Sequence, residues 1–405
     1  MNIDNTPANA LTGEQVKNLT EAFILPTYAR YPVAFKSAHG AIFTDFDGRE
    51  YVDFTSGIGV NSIGSTDEHW IREVTEQVNT LAHSSNLYYT APGAKLAARL
   101  CSRTGMKAAF FGNSGAEGNE GIIKLARKYS HDKYGDGRNI VVTLVDSFHG
   151  RTVTTLAATG QDVFHQHFFP FTEGFRYARA NDITSVREAI EQGGVCAVLM
   201  EPVQGEGGVL PLDKDFAQAV AKLCDEKDIL LLLDEVQTGV GRTGRLFGFQ
   251  NLGIRPDAFS FAKGIAGGLP MGGFLVNEKT YDTFTSGTHG STFGANPICA
   301  AAANAVLDTI DDELLAEVRE KGDYIRAKVA EMALPCVTGV RGMGLMLGLA
   351  LDESVKVGEV VSKLLEGGLM ALTAGHNTLR FLPPLTVTKE EIDRALAVLQ
   401  NVLGK

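Results

Sequence analysis

The chain has 405 residues, 44% of them apolar and 21% charged, which is enough for two domains sharing a large core and leaves no sign of disorder. A formal net charge of −11 argues against nucleic acid or an anionic membrane as partner, because either favours a basic patch, and no apolar run approaches the roughly 20 residues that span a bilayer. Five scattered cysteines without CxxC or Cys/His spacing imply reduced thiols and no metal site, and the acidic N-terminal stretch lacks the basic and apolar regions of a leader, so a cytoplasmic protein acting on small molecules is expected.

Residues 1–40 read as an arm with a short helix near Glu14–Phe23, and Ala41–Phe54 as a hairpin turning at Asp47-Gly48. From Pro92 helices and strands alternate. Helix Pro92–Arg103 precedes strand Ala108–Gly112, helix Glu117–Tyr134 precedes strand Asn139–Asp146, and helix Ile183–Gln192 precedes strand Val195–Glu201. Helix Phe216–Glu226 precedes strand Ile229–Glu235, and short apolar strands follow at Ala258–Ala262 and Gly273–Asn277. Apolar strands between amphipathic helices predict an α/β fold with a mainly parallel sheet covered on both faces, whose ligands bind beyond the carboxyl ends of the strands. After Asn296 come a small-residue helix (PICAAAANAVLDTI), a long helix near Leu314–Met332, strands near Val340–Leu349 and Leu379–Leu382, and a final helix at Lys389–Val402. The expected division is an arm and part of a small α+β domain in 1–60, a large domain in 61–299, and the rest of the small domain in 300–405.

Several strand ends deliver chemistry. Asn113-Ser114-Gly115-Ala116-Glu117 begins a helix, where free backbone N–H groups and a hydroxyl can cup a phosphate, although Ser114 would equally serve as a plain cap. In Ser147-Phe148-His149-Gly150-Arg151-Thr152 an aromatic ring that can stack lies three residues from an arginine that can hold a carboxylate; a packed Phe148 and a surface Arg151 are the bland alternative, and His149 suits packing or hydrogen bonding better than base chemistry. Glu201 opens the glycine loop Glu201-Pro202-Val203-Gln204-Gly205-Glu206-Gly207-Gly208, which reads otherwise as a solvated turn. Thr288–Pro297 is a hydroxyl- and glycine-rich loop before a helix, a second phosphate contact or only an N-cap. Arg380, inside an apolar strand, implies a carboxylate partner or an anionic substrate.

The densest stretch is Ile229–Gly273. One apolar run ends on Asp234 and Glu235, the next on Lys263. An acid and a lysine at the ends of neighbouring buried strands suit pyridoxal phosphate, since the amine forms a Schiff base with the cofactor aldehyde and the carboxylate keeps the pyridine nitrogen protonated. Acid–base hydrolysis by Glu201 and Asp234 is the alternative, and it leaves Lys263 unexplained. Gly239–Gly244 matches GxGxxG, but the following RLFGFQNLGIRPD lacks the helical period that a dinucleotide loop requires.

Together NSGAE, FHGRT, EPVQGEGG, LLLDEVQTGVGRTG, FAKGIAGGLPMGG and HGSTFGANP resemble, in order and spacing from about Phe35 to Pro384, the class III, fold-type I pyridoxal-phosphate-dependent aminotransferases, closest to their acetylornithine/ornithine branch. The resemblance implies a seven-stranded-type sheet sandwiched by helices, and assigns Lys263 as the Schiff-base lysine, Asp234 as partner of the pyridinium nitrogen and Gln237 as neighbour of the phenolic oxygen. It implies that Ser114, Gly115 and Ala116 hold the phosphate, Thr292 reaches it from a second subunit of a homodimer, and Phe148 stacks on the ring. Arg151 would hold the donor's α-carboxylate, Ser291 would contact substrate, and Glu201 would shield Arg380 until 2-oxoglutarate binds. The implied reaction is a ping-pong transfer of the terminal amine of N-acetylornithine to 2-oxoglutarate in arginine biosynthesis, with ornithine, succinylornithine or 4-aminobutyrate as other donors sharing these motifs, and a non-catalytic cofactor-binding protein as a remote alternative. One departure stands at Gly64–Trp70, where the family has Gly-His-x-His-Pro.

Overall fold

The computed structural model describes residues 7–404; residues 1–6, the start of the expected arm, and residue 405 lie outside it. Its centre is a seven-stranded sheet built from β1 (Ala108–Gly112), β2 (Ile140–Leu144), β3 (Phe175–Ala178), β4 (Val195–Met200), β5 (Leu230–Asp234), β6 (Ala258–Phe261) and β7 (Gly272–Val276). The strands lie side by side in the order β1-β7-β6-β5-β4-β2-β3. All pairs are parallel except those of β7, which runs antiparallel to both β6 and β1. The reason is length: residues 262–271 between β6 and β7 are too few for a parallel crossover, which takes about a dozen or more.

Alternation along the strands sends side chains to opposite faces. Ala197, Leu199, Leu230 and Leu232 pack with Ile122, Ile123 and Leu125 of the helix Gly115–Tyr134. Val198, Met200, Leu231 and Leu233 join Val186 and Phe216, from helices Ile183–Glu191 and Lys214–Lys227, on the other face. The helix Pro297–Thr309 is buried nearly all round, as its run of alanines requires.

Both chain ends form smaller sheets. Phe35–His39, Ile42–Asp45 and Glu50–Asp53 make an antiparallel meander turning at Gly48 (φ 83°), and Leu369–Met370 from the C-terminal segment adds parallel to its last strand. The second sheet pairs Val337–Met343, Met346–Leu351, Thr378–Phe381 and Leu372–Ala374 antiparallel. The single strand expected at Val340–Leu349 is therefore a hairpin, bent at Gly344 with φ 53°.

Besides three short helices at Ser56–Gly59, Val153–Ala158 and Phe249–Leu252, two longer ones carry no match among the expectations. Glu68–Thr80 is capped by Asp67, whose carboxylate accepts from Trp70 N at 2.8 Å, and Trp70 Nε1 donates to Ala266 O at 3.1 Å, behind the turn that holds Lys263. The atypical Gly64–Trp70 segment is thus a structural support. Val357–Glu366 lies beside the second small sheet. Gly239–Gly244 opens no helix; its buried Arg242 donates to the carbonyls of Leu345 and Pro383 and so joins the central sheet to the C-terminal segment. Among the described residues no helix is long and apolar enough to cross a membrane.

Candidate active site

The carboxyl ends of β1, β2, β4, β5 and β6 face a cavity of about 450 Å³. Among the residues lining it are Ser114, Gly115, Ala116, Phe148, Arg151, Glu201, Asp234, Gln237 and Lys263, separated by up to 149 positions in sequence and gathered by the parallel sheet. Arg380 reaches the same wall by its hydrogen bonds to Glu206 and Gln237, both of which line the cavity. Ser291 and Thr292, in the loop before helix Pro297–Thr309, are half-buried and exposed respectively and do not line it. The capping role in that loop falls to Asn296, whose side chain accepts from Ile298 N and Cys299 N.

Lys263 follows directly on β6. Its backbone sits at φ 48°, in the left-handed region that costs a residue with a Cβ about 1–2 kcal/mol, and its amine is buried. Burial pushes its pKa below the ordinary 10.5, with Glu206 opposing and Arg380 adding to that shift. Asp234 ends β5 as an acceptor with three donors: Oδ2 takes Asn119 Nδ2 at 2.6 Å and His149 Nδ1 at 2.9 Å, and Oδ1 takes Val236 N at 3.0 Å. Asn119 is aimed in turn by Ser260, whose hydroxyl donates to Asn119 Oδ1 at 2.6 Å. The carboxylate therefore has one available orientation.

Ser114 caps helix Gly115–Tyr134: its Oγ accepts from Glu117 N at 3.2 Å and donates to Glu117 Oε2 at 2.9 Å. The positive end of the helix dipole, with Gly115 and Ala116 in the first turn, opens into the cavity. The Phe148 ring lies on the cavity edge-on to Phe164, and the Arg151 guanidinium stands 4.3 Å from the centre of the Phe164 ring and 5.5 Å from that of Phe148.

The expected pairing of Glu201 with Arg380 is corrected. Glu201 Oε1 accepts from Phe148 N at 2.9 Å and Oε2 from Gly205 N at 3.1 Å, so its carboxylate ties two turns together at the end of β4. Burial pushes it up to about 7, against the pull of His149. The acid on Arg380 is Glu206, five residues on: Arg380 Nη1 meets its Oε1 at 2.7 Å and Nη2 its Oε2 at 3.2 Å. Burial raises the Glu206 pKa, but the Arg380 guanidinium outweighs it and holds the group below the usual carboxylate range. Gln237, expected beside the phenolic oxygen, accepts from Arg380 Nη1 at 3.1 Å and so joins this pair.

Asn119, Ser260 and Glu206 carry no expected role in the sequence alone. A polar residue on the otherwise apolar or glycine face Gly118, Gly121, Ile122, Ile123 was the available signal for Asn119. For Glu206 it was the flanking glycines, which let a loop approach another backbone closely. Ser260 left no mark in an apolar strand. His149 is, as its hydrogen bond to Asp234 indicates, an orienting residue, and its buried Nε2 has no hydrogen-bond partner among the described residues.

A family model for aminotransferase class-III matches residues 25–403. The acetylornithine aminotransferase of Haemophilus ducreyi is 51% identical over 395 residues, covering 98% of this chain and 100% of its own length. That of Methanocaldococcus jannaschii is 42% identical, with 95% and 97% covered. Among solved structures, the ornithine aminotransferase of Toxoplasma gondii superposes with a TM-score of 0.93 at 28% identity, covering 97% of this chain and 95% of that one. A second structure of that T. gondii enzyme is described with PLP partly occupying its active site. The N-acetylornithine aminotransferase of Stenotrophomonas maltophilia gives 0.83 at 33% identity, with 96% and 98% covered.

Proposed function

The chain belongs to the class-III aminotransferases, and from that premise we propose that it carries the terminal amine of N-acetylornithine to 2-oxoglutarate, yielding the semialdehyde and glutamate, with pyridoxal phosphate as cofactor. The observation that carries the reading is one cavity bordered by a buried lysine, a triply held aspartate and the Glu206–Arg380 pair. The choice of donor rests on relatives 42–51% identical over nearly the whole chain.

The residues fit this cofactor. A Cβ on Gly115 would stand 2.6 Å from Val236 Cγ1, so only glycine lets Val236 lie against the helix start, and Val236 and Phe148 both border the cavity as apolar surfaces for a flat ring. Ser114, Gly115 and Ala116 would hold the phosphate, and Asp234 would hold a proton on the pyridine nitrogen. When bound, pyridoxal phosphate supplies a carbonyl that exchanges amines and a ring that accepts the electron pair left on the substrate carbon.

The chain's own groups do the rest. Lys263 Nζ takes the proton from the amine-bearing carbon of the substrate, and burial favours the uncharged amine that can accept it. Asn119, His149 and Ser260 keep Asp234 aimed, so no reorganisation is needed as charge moves. Arg151 holds the donor's α-carboxylate. Glu206 neutralises Arg380 while a donor without a second side-chain carboxylate is bound, and gives it up to the distal carboxylate of 2-oxoglutarate.

Ser291 and Thr292 enter as groups offered to a second subunit. Leu87, Tyr88, Tyr89 and Phe293 are large apolar side chains left exposed, which supports a homodimer with sites completed across its interface. On this reading the described residues up to 60 supply an arm and part of a small domain that residues 300–404 complete, beside the large one of 61–299.

Lys263→Ala tests the chemistry: it is expected to lose turnover and the visible absorbance of the lysine-bound cofactor. Retention of either at the wild-type level would sink the assignment. For the donor, single-turnover rates with N-acetylornithine, N-succinylornithine, ornithine and 4-aminobutyrate should rank N-acetylornithine first by kcat/KM.

A further inference from the structure

We propose that Arg341 is a positioning residue that holds the Glu206 loop and the Arg380 strand to one another, and so sets how readily the site accepts a second carboxylate. This rests on the gate reading of Glu206 and Arg380 given above. One guanidinium bonds to both of the segments that carry the ion pair. Arg341, half-buried in strand Val337–Met343, donates through Nε to Gly208 O at 2.8 Å, two residues beyond Glu206. Through Nη2 it donates to Thr378 Oγ1 at 2.6 Å, two residues before Arg380.

The two halves are not held equally. Arg380 lies in a strand paired on both sides, with Met346–Leu351 and with Leu372–Ala374, so the ladder keeps its backbone in place without help. The Glu206 loop has no such support. It is the tip of the two-residue hairpin Val203–Gln204 with Leu210–Pro211. Its backbone reaches the small sheet through Gly375 N, which donates to Glu206 O at 2.8 Å, and through the Arg341 bond to Gly208 O.

Space keeps the loop seated between two walls. A Cβ on Gly207 would overlap Asp146 O, and one on Gly375 would stand 2.8 Å from Gly207 O. With both walls that close and Gly375 N bonded to Glu206 O, the bond from Arg341 to Gly208 O is the side-chain tie on the tip that a substitution can loosen. The consequence is a bias: with Arg341 in place, Glu206 returns to Arg380 whenever no dicarboxylate is bound, and the buried guanidinium is never left without a partner. Loosening the clamp removes a competitor for Arg380 and leaves donors facing an unneutralised charge.

The test uses the holoenzyme and glutarate, a dicarboxylate with neither amine nor keto group, titrated by calorimetry. Alongside it, the two half-reactions are measured separately with N-acetylornithine and with 2-oxoglutarate. Arg341→Lys keeps the charge but loses the fork. It is expected to bind glutarate tighter and to lower kcat/KM for the donor, each by roughly threefold to tenfold, the effect of one charge-assisted hydrogen bond. By the same competition, kcat/KM in the 2-oxoglutarate half-reaction is expected to hold or rise.

Thr378→Val cuts only the tie to the strand and should shift both quantities the same way by less. Glu206→Gln is the reference for the gate and should tighten glutarate at least as much. If Glu206→Gln tightens glutarate while Arg341→Lys and Thr378→Val leave it unchanged or weaken it, the clamp is overturned and the gate stands. If Glu206→Gln leaves glutarate unchanged, the gate reading fails and the clamp with it. Equal loss of both half-reactions in Arg341→Lys and in Thr378→Val, with weaker glutarate, would mark a merely structural role and also overturn the proposal.

Discussion

Lys263 combines two costs in one side chain, a left-handed backbone and a buried amine. Neither is useful to a lysine that only packs, and both suit one that must meet a carbonyl as a free amine. Because burial lowers its pKa, the uncharged fraction at a given pH is larger than for an exposed lysine. The rate at which apoenzyme recaptures pyridoxal phosphate into its visible form should therefore rise with pH and level off below the ordinary 10.5. A midpoint at or above that value would contradict the burial argument. Glu201 and Glu206 illustrate what side-chain identity leaves open. Both were visible as acids beside a strand end, but which of them meets Arg380 depends on where the loop turns. Glu201 is held back by the N–H groups of Phe148 and Gly205, and Glu206 is carried forward on glycines.

Helix Gly115–Tyr134 shows how a long element places small groups. Its first turn carries the proposed phosphate cup, its second the Asn119 that aims Asp234, and its inner face presses on β6 and β7. The seat depends on Gly118, where a Cβ would stand 2.6 Å from Gly273 O and 3.2 Å from Ser260 Cβ. Alanine would gain up to about 1 kcal/mol of helix propensity, yet the overlap is with backbone and should win by roughly 1–3 kcal/mol. Gly118→Ala is thus expected to lower the melting temperature of the apoenzyme and also to weaken pyridoxal phosphate binding in equilibrium dialysis. A stabilised variant with unchanged cofactor affinity would refute this account of the helix seat. The strands and helices of the central sheet were legible because their apolar runs and periods are long. β3 was not, since Phe175–Ala178 is a four-residue edge strand with an exposed Tyr177 and no continuous apolar run. The hairpin at Gly344 looks like one strand in the sequence because its two arms are both apolar and the turn between them is short.

The molecule as a whole joins its three larger sheets through one apolar core, to which Val52, Leu231 and Leu349 all belong, and a few buried polar contacts cross between its segments. Arg242 bonds to carbonyls of the C-terminal segment, and Arg380 bonds across to Glu206 and Gln237. Its surface leaves Leu87, Tyr88 and Tyr89 in a row of exposed apolar side chains. Burying one such side chain is worth roughly 1.5–3 kcal/mol, so Tyr89→Asp should raise the dissociation constant of the proposed dimer by more than about tenfold. Sedimentation equilibrium reads this directly, and a wild-type monomer at micromolar concentration would refute the shared-site reading of Thr292.

Taken alone, the amino-acid sequence determined the α/β class, the segments that end in chemistry, and the pairing of an acid with a lysine at neighbouring strand ends, because these depend on local periodicity and on residue identity at strand termini. Folding determined the rest: that Asn119 and Ser260 aim Asp234, that Glu206 and not Glu201 covers Arg380, and that Arg341 reaches both sides of that pair. Those relations join residues up to 174 positions apart through side chains of a few ångströms' reach. Only the packed backbone brings them within that distance.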